Sequence, residues 1–82
     1  MIQINEIVGV LVELLQPFNI DQKTLSAETD IPAELNIDSV GILDFIMEVE
    51  DKYDIEIPMN AVASIRTIGE LADYVSKKLN KA

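Results

Sequence analysis

The sequence predicts an all-α fold: a small four-helix bundle of three main helices and a short third one, with a long loop between helices 1 and 2. Three observations predict it. Apolar residues recur at helical spacing in three separate stretches. Helix-boundary signals stand at their ends, in Pro17, the Asp38-Ser39 pair and Thr67-Ile68-Gly69-Glu70. The one strand-like alternation, Ile55-Glu56-Ile57, is three residues without a partner strand and reads as an extended link. At 82 residues the chain is expected to form a single domain spanning 1–82.

The first helix is expected over about Ile4 to Gln16. Ile4, Ile7, Val8, Leu11, Leu14 and Leu15 keep the i, i+3, i+4, i+7 spacing of one buried face, Val10 and Val12 widen it, and Pro17 ends it. From Phe18 to Asn36 no period is sustained. Phe18, Ile20, Leu25, Ile31 and Leu35 are expected to pin this loop to the core at intervals, with a short turn near Asp21 to Leu25. A structureless stretch of this length in so small a domain is often functional. The second helix is expected from Ser39 to Tyr53, with Asp38 or Ser39 as N-cap. Asn60 to Ile65 fits a short third helix after Pro58. Thr67 and Glu70 form a capping box that opens a fourth helix to about Leu79. Leu71, Ala72, Val75 and Leu79 face inward there, and Lys77, Lys78 and Lys81 sit at the C-terminal end, where the helix dipole favours cations.

The second helix has more apolar residues than one buried face needs. At about 100° per residue, Ile42, Phe45, Ile46, Val49 and Tyr53 fall in one sector, the expected core stripe. Val40, Leu43 and Met47 fall in another, centred about 140° away. Asp44, Glu48 and Asp51 flank this second patch on one side and Glu50 on the other. Either loop residues such as Ile31 and Leu35 fold over it, or it stays exposed as an apolar patch ringed by carboxylates, the pattern of an interaction site.

Composition excludes most chemistry. The chain has no cysteine and no histidine, hence no disulfide framework, no thiolate zinc site and no imidazole base. A serine nucleophile at Ser39 would lack its base, Lys52 lies at the far end of the same helix, and no Gly-x-Ser-x-Gly elbow is present. Asp51, Asp54 and Glu56 lack the glycine and ligand spacing of a calcium loop. No catalytic residue, no metal and no enzymatic activity are therefore expected. Net charge is −9, and between Glu28 and Glu56 ten carboxylates face the single cation Lys52. Nucleic acid and anionic membranes make poor partners for such a surface, and a basic patch on another protein makes a good one. The apolar runs near the start are broken by Gly9 and Glu13 and follow no basic stretch, so neither a signal peptide nor a membrane span is expected, and the chain is expected in the cytoplasm as a monomer.

Ser39 is either a plain helix cap or a hydroxyl placed for another enzyme to modify. An anion attached there would lie at the positive end of the helix dipole. Here the sequence resembles the acyl carrier proteins. Leu35-Asn36-Ile37-Asp38-Ser39-Val40 is similar to the family's Leu-Gly-x-Asp-Ser-Leu motif. Asp44-Phe45-Ile46-Met47 and the run Glu50 to Pro58 resemble its second helix and the acidic-aromatic-Ile-x-Ile-Pro exit. Ile65-Arg66-Thr67-Ile68-Gly69-Glu70-Leu71 resembles the start of its last helix. The resemblance implies that Ser39, with Asp38 beside it, carries 4′-phosphopantetheine taken from coenzyme A. That arm supplies the thiol the chain lacks, and acyl cargo rides on it as a thioester. It further implies a phosphopantetheinyl transferase and acyl-loading and acyl-using enzymes as partners, their basic patches docking on Val40, Asp44, Met47, Glu48, Glu50 and Asp51, and Leu43 of the same apolar face joins this docking set. The interior of the bundle would shelter an apolar cargo.

Three departures stand out. Asn36 replaces the usual Gly and, like Gly, tolerates positive φ. Gly41 stands where an acid is usual and costs about 1 kcal/mol of helix propensity relative to alanine. Met59 to Ser64 carries no acid. These point to a specialised carrier rather than the general one of fatty-acid synthesis, within fatty-acid or specialised lipid or acyl biosynthesis. An aminoacyl or polyketide carrier, and an unmodified acidic helical adaptor, are the alternatives.

Overall fold

The computed structural model describes residues 3–80. It contains five α-helices: α1 (Ile4–Leu15), α2 (Ile31–Leu35), α3 (Ser39–Tyr53), α4 (Met59–Ser64) and α5 (Ile68–Leu79), with a 3₁₀ turn at Gln16–Phe18 after α1. Among the described residues there is no strand; Asp30 and Thr67 form an isolated antiparallel bridge. The expected main helices are α1, α3 and α5, and the expected short helix is α4, one residue earlier than its pattern suggested.

The core forms where the apolar stripes meet. Ile7, Leu11 and Leu15 of α1, Phe45 and Val49 of α3, and Leu71 and Val75 of α5 lose essentially all contact with water. Each such side chain contributes roughly 1.5–3 kcal/mol through burial. Ile4 remains exposed, because the first turn of α1 reaches past the core. Phe18 meets Phe45 edge-to-face, with ring centroids 6.5 Å apart and planes at 70°, and so fixes the end of α1 against the middle of α3. Tyr53 closes the stripe with its hydroxyl buried and without a partner among the described residues; burial and then the Glu6 carboxylate hold it above the usual tyrosine range.

The stretch between α1 and α3 departs most from expectation. The expected short turn forms at Ile20–Asp21, but Ile20 is 88% exposed rather than pinned. Asn19 explains both. Buried, it accepts the Lys23 N–H on Oδ1 (2.9 Å) and donates Nδ2 to the Lys23 carbonyl (2.8 Å), and its own carbonyl accepts the Gln22 N–H. The chain doubles back on this one amide and leaves Ile20 at the tip.

Helix α2 arises where a loop was expected. Asp30 caps it, accepting the Ala33 N–H (3.1 Å), Glu34 reaches back to the Asp30 N–H (2.8 Å), and Pro32 occupies the first turn, where its missing N–H costs nothing. Asn36 ends it in the left-handed region, φ 52° and ψ 40°, as the substitution for glycine requires. Ile31 and Leu35 of this helix enter the core.

The loop is stitched to the start of α5. Ile31 donates to the Arg66 carbonyl (2.8 Å), Ile68 to Thr29 (3.1 Å) and Gly69 to Ala27 (2.8 Å). A Cβ at Gly69 would stand 3.0 Å from the Ala27 carbonyl oxygen, so glycine permits the approach. The Thr67–Glu70 capping box is present in full. Donors from the Thr67 and Arg66 backbones hold the Glu70 carboxyl below its ordinary value of 4.5. At the other end of α5, Lys77 pairs with Asp73 at 3.0 Å and Lys78 lies over the Tyr74 ring; Lys81 lies outside the described residues.

Candidate functional site

The start of α3 assigns separate tasks to Asp38 and Ser39. Asp38 is the N-cap, extended at φ −80° and ψ 178°, and its Oδ1 accepts the Gly41 N–H at 2.8 Å. Ser39 is the first helical residue, exposed, and its hydroxyl makes no hydrogen bond to any described residue. A serine used as a cap spends its oxygen on a backbone N–H. Here the aspartate does that, and the serine hydroxyl stays available at the positive end of a 15-residue helix.

Gly41 belongs to the same corner. Its conformation is ordinary helix, but a Cβ there would lie 2.6 Å from Cγ2 of Ile37 and 3.3 Å from the capping Asp38 oxygen. The glycine is thus the seat for Ile37, which packs in the turn between α2 and α3, and not merely a weak point in the helix.

Beside Ser39 opens an apolar cleft of about 290 Å³ between α2, α3 and α4. Ser39 stands on its lining with Ile31, Ile42, Phe45, Ile46, Val62 and Leu71. Leu43 and Met59 flank it, and Arg66 is the cation among its lining residues. Arg66 donates Nε–H to Asp30 Oδ2 at 3.1 Å, joining the α2 side of the cleft to the α4–α5 side.

The second apolar patch of α3 faces outward. Val40 is 67%, Met47 64% and Leu43 37% exposed. Ile31 and Leu35, the residues able to cover it, are in the core instead. Asp44, Met47, Glu48 and Asp51 line one shallow hollow with Pro17 and Phe18, so three carboxylates rim the patch on the side toward α1. Glu50 stands apart. It is half-buried, and its Oε2 accepts the Ile57 N–H at 2.7 Å, satisfying the backbone of the link that leaves α3. Among the described residues no three carboxylates converge as a metal site, and no helix is long and apolar enough to cross a membrane.

Sequence reasoning passed over Arg66 and Asp30 as site-forming residues, and read Gly41 only as a missing acid and a weak point in the helix. The Asp-Ile-Pro-Ala-Glu run at 30–34 held a readable helix-start signal. Nothing local announced that Arg66 would meet Asp30 across 36 residues, or that Ile37 would need the space at position 41.

The profile of the family described as "Phosphopantetheine attachment site" matches residues 6–75. The chain is 33% identical over 63 residues to the acyl carrier protein of Syntrophobacter fumaroxidans, covering 77% of this chain and 75% of that one. It is 33% identical over 58 residues to the mitochondrial acyl carrier protein of Saccharomyces cerevisiae, covering 71% of this chain but only 46% of the length of that relative. Among solved structures, a Toxoplasma-specific mitochondrial acyl carrier protein superposes with a TM-score of 0.85 over 98% of this chain and 94% of its own, at 21% identity, a likeness of fold. With the family profile matched along most of its length, the chain belongs to the acyl carrier proteins, non-catalytic carriers whose cofactor is 4′-phosphopantetheine.

Proposed function

We propose that Ser39 is the attachment point of 4′-phosphopantetheine and that the chain carries acyl intermediates between enzymes of fatty-acid or a specialised acyl biosynthesis. The observation that carries this reading is the division of work at the head of α3: Asp38 caps the helix, and the Ser39 hydroxyl is left unbonded and exposed beside an apolar cleft. When bound, the cofactor supplies a thiol that holds the cargo as a thioester. The residues present suit it. A phosphodiester on Ser39 would stand at the positive end of α3, and no neighbouring side chain would have to give up a bond to make room. The chain has no histidine to take the serine proton, and the neighbouring Asp38 carboxylate is engaged as the helix cap, so the base is expected from a phosphopantetheinyl transferase.

Val40, Leu43 and Met47, rimmed by Asp44, Glu48 and Asp51, form the surface offered to that transferase and to acyl-loading and acyl-using enzymes with basic patches. The cleft beside Ser39 shelters the apolar part of the cargo. The reading is completed by a single domain acting as a monomer in the cytoplasm. Incubation with coenzyme A and a broad-specificity transferase is expected to add one phosphopantetheine mass to the intact protein and none to Ser39→Ala. A gain of the same mass in Ser39→Ala rejects the proposal.

A further inference from the structure

Resting on the reading of Ser39 above, we propose that Arg66 is a specificity-determining residue and that the cargo it selects is an acyl group ending in a carboxylate. The cleft that Ser39 lines is apolar along its body, walled by aliphatic and aromatic side chains of α2, α3, α4 and α5. Such a wall accepts methylenes and gives no reason for a cation. Arg66 nonetheless belongs to the lining. Its side chain remains 63% exposed, so its charged end meets solvent while the residue stands on the cleft. Among the described residues the guanidinium makes one hydrogen bond, from Nε to Asp30 Oδ2. A guanidinium has five N–H donors, so the outer edge that binds a carboxylate in bidentate fashion is left over.

Asp30 orients this group and is itself occupied. Its Oδ1 accepts the Ala33 N–H and its Oδ2 the Arg66 Nε–H. The Ile31 N–H also binds the Arg66 carbonyl at 2.8 Å, so the Arg66 backbone is tied to α2 and the side chain starts from a fixed point. The wider charge distribution sharpens the point. In a chain of net charge −9 most of the surface repels an anionic cargo, and Arg66 is the cation that the cleft presents. A fully apolar acyl chain would use the cleft and ignore Arg66. A chain that lays its methylenes in the cleft and emerges with a carboxylate at the rim would use both.

Holo-protein is prepared from coenzyme A thioesters carrying either octanoyl or the half-thioester of octanedioic acid. The rate at which water cleaves each thioester is then compared, at low ionic strength, with that of the same thioester on free pantetheine. The carboxylate-ended cargo is expected to be protected about 3-fold better than octanoyl, the size of an exposed ion pair. That preference is expected to vanish in Arg66→Gln, the two cargos then being protected alike. Equal protection of the two cargos in the natural chain overturns the proposal. So does a preference that persists in Arg66→Gln, or an equal loss for both cargos, which would place Arg66 on the phosphodiester of the arm. Should Arg66→Gln unfold, Arg66→Met, which keeps an aliphatic stem without the charge, decides, and a preference that persists there overturns the proposal. Failure of Ser39 to accept the arm rejects the reading beneath it and is seen separately, as no gain of mass.

Discussion

At position 41 two physical effects oppose each other, and the structure says which wins. Helix propensity alone makes Gly41→Ala stabilising by about 1 kcal/mol. The Ile37 methyl 2.6 Å from the new Cβ makes it overpacked, at a cost of about 1–3 kcal/mol. Ile37 is branched at Cβ and short, so it has little freedom to withdraw. Gly41→Ala is therefore expected to lose about 1 kcal/mol net, seen as a lower urea midpoint. In an Ile37→Ala background the same substitution is expected to become stabilising. A raised midpoint with Ile37 in place would show that propensity rules the site after all. Asp38 and Ser39 are a second case of residue-scale division. Both residue types can cap a helix, and the sequence left the assignment open; the hydrogen bond from Gly41 gives it to Asp38.

Helix α3 shows what periodicity reveals and what it hides. Its bounds and its two apolar faces were legible, because a helix 15 residues long sets up a repeat that chance does not imitate. Helix α2 was not legible by the same route, since five residues contain no period, and its caps were the only signal. Nor did the wheel tell free acids from engaged ones. Asp44, Glu48 and Asp51 line an open hollow, whereas Glu50 is bound to the Ile57 N–H. The acids are thus expected to separate by experiment. Asp44→Lys and Glu48→Lys should each lower the kcat/KM of phosphopantetheine transfer roughly 2- to 5-fold at low salt, with thermal stability little changed. Glu50→Ala should instead cost about 1–3 kcal/mol of stability, by leaving a partly buried N–H unpaired. Transfer kinetics unchanged by either lysine would remove those carboxylates from the docking surface.

Across the whole molecule, one acidic half faces a fold held together by a small core and a stitched loop. Ten carboxylates lie between Glu28 and Glu56, against one cation in that span. Their mutual repulsion is screened over about 10 Å at 0.1 M salt. Sodium chloride is therefore expected to raise the unfolding temperature by several degrees between about 0.01 M and 0.5 M. A flat or falling response would mean that the ion pairs Arg66–Asp30 and Lys77–Asp73 outweigh the repulsion. At this scale the sequence revealed the helical class and the position of the serine through patterns carried by neighbouring residues. It did not reveal the cleft or its cation, because these depend on α2, α4 and the start of α5 converging, a product of tertiary packing alone.

The central claim is that Ser39 carries the arm, and the most direct test locates the added group. Cleavage after Lys23 and Lys52 releases residues 24–52, a peptide containing Thr24, Ser26, Thr29 and Ser39 as hydroxyl-bearing side chains. Fragmentation of this peptide from transferase-treated protein is expected to place the phosphopantetheine mass on Ser39, the residue whose hydroxyl α3 leaves exposed and unbonded. The same mass on Ser26, Thr24 or Thr29, or on a different peptide, would contradict the account.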